Sequence, residues 1–175
     1  MKPVITRRFT MRILRISLVI VKNENKVLLG LCKRGFNKDK YCVPGGVLQP
    51  KEDLQSCAIK NPKEQCGITI EKLEKVGKIE VKFAGVQELL QFHIFMSDSY
   101  SGDIKETKEM TPDWFPLSDV PYDKMWQDMT VWLPHVLKGK KVKAFFIYQN
   151  EELIYQDLTT EANFGPRTSS SVAIV

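Results

Sequence analysis

One stretch, residues 45–70, limits what this chain can fold into more than any other. It opens with the tight pair Gly45-Gly46 and leaves through Cys66-Gly67 into a β-branched run. Between these ends, apolar side chains recur at the i, i+3, i+4 spacing of a buried helix face: Leu54, Cys57 and Ala58. The pattern predicts a loop, a helix and a second loop.

A proline limits the length of that helix. The helix should begin near Glu52, but Pro62 cannot donate a backbone hydrogen bond and its ring collides with the carbonyl of Ala58. Asn61, which precedes the proline, is also pushed away from helical geometry. We therefore expect the helix to kink or end near Lys60.

The rest of the chain predicts strands and a second helix. Strand patterns and turn signals mark four segments: a hairpin over 12–31, long strands over 73–83 and 86–96, and a closing hairpin over 143–155. After Pro121, one helical face carries Met125, Met129, Trp132 and Leu133, and we expect Pro134 to interrupt this helix. The predicted fold class is α/β, a curved mixed β-sheet sandwiched between helices.

Composition narrows the domain plan and the partners. We predict a basic arm over 1–11, a single folded domain over 12–158 and a flexible tail over 159–175. The net charge of +5 results from 26 basic and 21 acidic residues, so it permits a phosphate-bearing ligand but does not favour nucleic acid. No apolar run approaches the ~20 residues that cross a bilayer, and we expect no membrane contact.

The four cysteines, Cys32, Cys42, Cys57 and Cys66, form no C-x-x-C pair and no secretory signal precedes them. We therefore expect free thiols in a reducing compartment. The cytoplasm is the predicted location. The mitochondrion is the alternative, because the first acidic residue, Glu24, follows several basic ones.

The stretch from Gly46 through Glu52 to Gly67 resembles the Nudix box, G-x5-E-x7-R-E-U-x-E-E-x-G-U, in its spacing. Further matches follow in order over residues 12–157, including Lys33-Arg34-Gly35-Phe36 and Asp123-Lys124-Met125-Trp126. Together they are similar to the animal MutT-like branch of the Nudix family, which hydrolyses 8-oxo-dGTP. The resemblance implies the Nudix fold and a purine nucleotide as ligand.

The resemblance also implies a nucleotide site. In the family, a Trp and a Phe sandwich the purine, and Trp126 and Phe36 hold those positions. The Gly45-Gly46 turn lies beside them. The family reads the oxidised base with an Asn and two successive Asp residues, and here Cys42, Asp128 and Met129 stand in those places. A site that lacks paired hydrogen-bond groups loses much of its discrimination, so the ligand should differ from oxidised guanine.

The box departs from the family in its chemistry. Nudix hydrolysis uses Mg²⁺, which carboxylates of the helix hold. Here those positions are Asn61, Glu64 and Gln65, and the Arg that orients them is Lys60. One alternative is a different carboxylate cluster of Glu52, Glu64 and Glu109, with Glu64 and Glu52 as metal ligands. The other is that all three are solvated surface acids.

Three functions stay open on the sequence. The first is a Nudix-fold pseudoenzyme that binds a nucleotide or a protein and uses no cofactor. The second is a working Mg²⁺-dependent nucleoside triphosphate diphosphatase with an altered substrate. The third is an enzyme of different chemistry that uses the Cys42 thiol.

Overall fold

The computed structural model describes residues 10–162 and 169–174. Its strands are β1 (Arg12–Asn23), β2 (Lys26–Cys32), β3 (Tyr41–Cys42), β4 (Gly45–Val47), β5 (Thr69–Ile70), β6 (Glu74–Phe83), β7 (Glu88–Ser97), β8 (Tyr100–Ser101), β9 (Met110–Pro116), β10 (Lys140–Gln149), β11 (Glu152–Ala162) and β12 (Ser169–Ile174). Its helices are α1 (Leu54–Cys66), α2 (Gln127–Leu137) and a short 3-10 helix at Tyr122–Lys124.

A mixed sheet forms the centre of the molecule. Its strand order is β12-β11-β10-β6-β7-β1-β2-β3, while β4 pairs with β1 and β9 with β2. The pairs β1–β7 and β10–β6 are parallel, and the others in this sheet are antiparallel. The predicted α/β class with a curved mixed sheet and two helices is confirmed.

Strand β1 separates two hydrophobic cores because its side chains alternate between the faces of the sheet. Ile20 belongs to the core under α2, whereas Val19 and Val21 belong to the core under α1, and all three are fully buried. The predicted hairpin of β1 and β2 is present only at its turn, with Lys22 opposite Val27. Farther from the turn, β1 leaves β2 and runs beside β7.

The predicted pair of long strands is present as β6 and β7. Ile79 faces Phe92 and Val81 faces Leu90, so the two apolar rows meet as expected. The closing hairpin is present as β10 and β11, and both strands are longer than predicted. These strands form the wall against which α2 packs.

The prediction for α1 is correct at its start, within two residues of Glu52, and wrong at its end. The helix begins one residue after Asp53, whose side chain accepts a hydrogen bond from the Ser56 amide at 2.7 Å. It passes through Pro62 and ends at Cys66. The next residue, Gly67, caps the helix in the left-handed conformation with φ of 82°. Tertiary packing outweighs the proline because Ala58 and Cys66 are fully buried and Thr107 donates to the Gln65 carbonyl at 2.9 Å.

Helix α2 likewise contains Pro134 and continues to Leu137, so the expected interruption is wrong. The predicted apolar face is correct: Met129, Trp132 and Leu133 are buried in the helix, and Met125 is buried just before it. Val136 and Leu137, which follow the proline, are also buried in this core, so the helix packs on the sheet on both sides of Pro134.

Toward the C-terminus, β11 continues through Ala162, and β12 pairs with it in antiparallel register. The predicted loop structure of the tail is therefore wrong for 159–162 and 169–174, while its mobility stays a prediction. The basic arm over 1–11 lies almost wholly outside the described residues. Within the described part of the chain, no helix is long and apolar enough to cross a membrane.

Candidate functional site

A cavity of about 640 Å³ opens on the α2 side of the sheet. That volume lies within the range of small-molecule sites. Its apolar wall comes from the inward rows of the central strands, where Ile16, Val81 and Leu90 face it. The start of α2 and the loop that follows β2 close the remaining sides, and they contribute Met129 and Phe36.

The structure brings together the two aromatic residues implied by the resemblance. Phe36 and Trp126 stack with ring centroids 4.8 Å apart and planes 5° from parallel. Phe36 is 63% exposed, and the Trp126 Nε1–H donates to Asn37 Oδ1 at 2.9 Å. A ligand ring between them needs a centroid separation of roughly 7 Å, since stacked carbon atoms lie about 3.5 Å apart. The loop that carries Phe36 must therefore move if a base is to be sandwiched.

Asp128 lies at the inner end of the cavity in a closed hydrogen-bond network. The Tyr148 hydroxyl donates to Asp128 Oδ1 at 2.5 Å, and the Trp132 Nε1–H donates to Asp128 Oδ2 at 2.9 Å. The Asp128 amide donates to the same tyrosine oxygen at 2.9 Å. Burial raises the pKa of Asp128 above its usual range, while these donors oppose the shift.

The Gly45-Gly46 turn is packed between β1 and α1. A Cβ at Gly45 would collide with the Ser17 carbonyl, and a Cβ at Gly46 would lie 2.5 Å from Asn61 Oδ1. Both positions therefore require glycine for close approach rather than for an unusual backbone angle. Asn61 is buried, and its amide donates to the Cys57 carbonyl at 2.8 Å and to the Cys57 sulfur at 3.2 Å.

The side-chain amide of Gln65 makes two hydrogen bonds to the backbone of Gly45. Gln65 Oε1 accepts from the Gly45 N–H at 2.9 Å, and Gln65 Nε2 donates to the Gly45 carbonyl at 2.7 Å. The pair requires one acceptor and one donor, which an amide supplies and an ionised carboxylate does not. A position that binds metal in the family therefore fastens the loop to the helix in this chain.

The remaining acidic candidates each have a basic partner. Lys60 Nζ lies 2.7 Å from Glu52 Oε1, and this contact holds the pKa of Glu52 below its usual range. Glu109 makes two bonds to Arg34, one of them at 3.0 Å, and these lower its pKa. Glu64 is exposed and interacts electrostatically with Lys60. Of the three acids, only Glu109 lines the cavity.

These groups do not fit a divalent cation. Mg²⁺ prefers charged oxygen ligands, and two of the three implied positions carry neutral amides that already bind protein atoms. In residues 10–162 and 169–174, no group of three or more His, Cys, Asp or Glu side chains could hold a metal ion.

The cysteines differ from the expectation of four free thiols. Cys32 and Cys42 form a disulfide between β2 and β3, and both line the cavity. This bond removes the thiol on which the third function depended. Cys57 and Cys66 are free and buried, and burial raises the pKa of Cys66 to about 12.

Sequence reasoning missed Tyr148 as a site residue. It lies on β10, twenty residues from the carboxylate that it binds, and it is 1% exposed. The inward alternation of Ala144, Phe146 and Tyr148 along β10 was available as a signal. That pattern indicates a buried hydroxyl that requires a partner.

Comparison with known proteins agrees with this architecture. The sequence profile described as NUDIX domain matches residues 11–136. Two relatives named oxidized purine nucleoside triphosphate hydrolase are each 36% identical to this chain. The protein from Danio rerio aligns over 148 residues, 85% of this chain and 94% of that protein, and the one from Mus musculus over 138 residues, 79% and 88%.

Solved structures share the fold. A MutT protein from Bacillus halodurans superposes with a TM-score of 0.75 at 22% identity, covering 83% of this chain and 97% of that one. The NUDIX domain of Shewanella oneidensis NrtR, solved with ADP ribose, gives a TM-score of 0.51 at 13% identity, covering 62% and 75%. The profile match and the animal relatives together show that this chain belongs to the Nudix family.

Proposed function

We propose that this protein is a Nudix-fold binding protein that keeps the ligand cavity of the family and has lost efficient metal-dependent hydrolysis. The observation that carries the proposal is the double hydrogen bond between the Gln65 amide and Gly45. It assigns a structural role to a side chain whose counterpart in the family holds Mg²⁺. Asn61 supports the proposal, since its buried amide is bound to Cys57.

Ligand binding is supported by the cavity itself. Its stacked aromatic pair, Phe36 and Trp126, offers flat apolar faces that attract planar rings of many kinds. Lys40 Nζ lies 4.9 Å from the Trp126 ring centroid, which adds a positive charge near this ring. The fold accommodates a nucleotide in the NrtR structure, where ADP ribose is bound. A protein partner stays a second hypothesis for the same binding role.

The alternative is an active nucleoside triphosphate diphosphatase, as in the 8-oxo-dGTP-hydrolysing branch of the family. The observation in its favour is the 36% identity to two animal oxidized purine nucleoside triphosphate hydrolases. It requires carboxylates outside the usual set to hold Mg²⁺. Glu52 and Glu109 would then have to exchange Lys60 and Arg34 for the metal.

The test is phosphate and pyrophosphate release from ordinary and oxidised nucleoside triphosphates, with Mg²⁺ or Mn²⁺ present. Two variants accompany the native protein: Glu64→Gln, and the double variant Asn61→Glu with Gln65→Glu. We expect no turnover from the native protein and a gain from the double variant, provided that it folds. Native turnover that Glu64→Gln abolishes would overturn the proposal and establish the alternative.

A further inference from the structure

We infer that the cavity selects an uncharged, planar, apolar aromatic ring system, and that it disfavours a purine with its hydrogen-bonding edge. This inference rests on the proposed function, because it names the ligand class of the same cavity. It follows from how the polar side chains of the wall are already engaged.

Asp128 lines the cavity at a position where the family reads its base. Each of its oxygens already accepts one hydrogen bond, from Tyr148 and from Trp132. The next position is Met129, which has a thioether in place of a second carboxylate. A purine edge pressed against these groups would lose its bonds to water and gain few in return.

Three further polar side chains of the cavity wall have protein partners. The Gln65 amide is bound to Gly45, and Asn37 Oδ1 accepts from Trp126. Cys42, which stands at the position of a base-reading Asn, is bonded to Cys32. Each of these side chains borders the cavity, and apart from Asn37 Nδ2 its polar atoms are bonded to protein partners.

The charged side chains of the wall have charged partners, apart from Asp128. Arg34 pairs with Glu109, and Glu88 lies 3.6 Å from Arg12, so neither pair leaves an unpaired charge to attract a charged ring. Among lining side chains in the described part of the chain, Tyr41 and Asn150 have no hydrogen-bond partner. Tyr41 packs on Phe115, and Asn150 is exposed in a turn. Neither residue stands at a position where the family reads its base, since Cys42, Asp128 and Met129 hold those positions.

The experiment compares two ligands that share a sugar. The deoxyriboside of naphthalene and 2′-deoxyguanosine are titrated into the full-length native protein by calorimetry. We expect the naphthalene compound to bind about tenfold tighter or more, because its edge needs no hydrogen bonds. Equal or tighter binding of deoxyguanosine would overturn the inference and leave the proposed binding function intact. Binding of neither compound would overturn both.

A variant tests the cause. Tyr148→Phe removes the hydroxyl that occupies Asp128 Oδ1, so the affinity ratio should shift about tenfold toward deoxyguanosine. Tyr155→Phe is the matched control, since Tyr155 lies on β11 against Phe145 and does not line the cavity. An unchanged ratio in folded Tyr148→Phe would contradict the inference. If that variant does not fold, the comparison of ligands in the native protein decides alone.

Discussion

At the scale of single residues, two amide side chains change the chemistry of the box. Gln65 keeps the size of glutamate, Asn61 is one methylene shorter, and both replace a charged acceptor by a neutral group that also donates. The structure uses both properties: Asn61 donates to Cys57, and Gln65 both donates to and accepts from Gly45. The substitutions therefore contribute to the packing of the loop on α1.

Gln65→Glu tests that contribution. At neutral pH the new carboxylate would face the Gly45 carbonyl with no proton to share. We expect the free energy of unfolding to fall by about 1–3 kcal/mol. Urea denaturation at pH 7 measures it, with Gln55→Glu on the exposed side of α1 as the control. A loss no greater than that of the control would show that the Gln65 bonds contribute little.

His93 makes stability depend on pH. It is buried, with Lys75 Nζ 3.0 Å from Nδ1 and Gln91 Oε1 3.0 Å from Nε2. Burial, followed by the positive charge of Lys75, lowers the pKa of His93 from 6.5 to about 4. The unfolded chain thus binds a proton that the folded chain excludes. The contribution of neutral His93 to the free energy of unfolding is therefore present above pH 6.5 and is lost as the pH falls toward 4.

We therefore expect His93→Gln to reduce the loss of unfolding free energy between pH 6.5 and about pH 5 by about 1–2 kcal/mol. Urea titrations at the two pH values measure it. The comparison is His135→Gln, whose histidine has a pKa lowered by burial and by nearby lysines. Equal pH dependence in the native protein and His93→Gln would contradict the assignment.

At the scale of elements, the sequence predicted which helices and strands exist better than where they end. The period of apolar residues identified α1 and α2, since it is a local property. The predicted interruptions at Pro62 and Pro134 were wrong. The free-energy cost of a proline in a helix is local, whereas the packing contacts that outweigh it come from distant parts of the chain. Thr107, which holds the last turn of α1, is forty-two residues from Gln65.

The loop of residues 33–40 forms one side of the cavity. It carries Phe36 and Asn37, and the Cys32–Cys42 disulfide closes it at its base. A cross-link over a loop of this length contributes about 3 kcal/mol in the chain-entropy account. We expect a reductant to lower the melting temperature of the native protein but not of the double variant Cys32→Ser with Cys42→Ser. A melting temperature unaffected by reductant in both would contradict this role.

At the scale of the whole molecule, most of the cavity and most of the box helix lie on opposite faces of the sheet, and they meet at Gln65 and the Gly45-Gly46 turn. The ligand cavity lies on the α2 side, with Ile79 and Trp132 of that core in its wall. The box helix packs on the opposite core, with Ala58 and Cys66. Asn61 and Glu64 do not line the cavity, so these two metal positions can change while the cavity is retained.

The sequence predicted this division only in part. The resemblance placed Phe36 and Trp126 together, and the structure shows them stacked. The resemblance did not reveal that the Tyr148 hydroxyl donates a hydrogen bond to Asp128. That contact depends on the position of β10 beside α2. Long-range pairing of polar atoms is the information that local patterns lack.

The most direct test of the central claim is binding of Mn²⁺, followed by the electron paramagnetic resonance signal of the free ion. The native protein and Glu64→Gln are titrated in parallel, without nucleotide. Our account predicts that both give the same signal as buffer, because neutral amides hold two of the three metal positions. Binding of one Mn²⁺ per native chain that is lost in Glu64→Gln would contradict the account. It would favour the alternative function, a metal-dependent hydrolase.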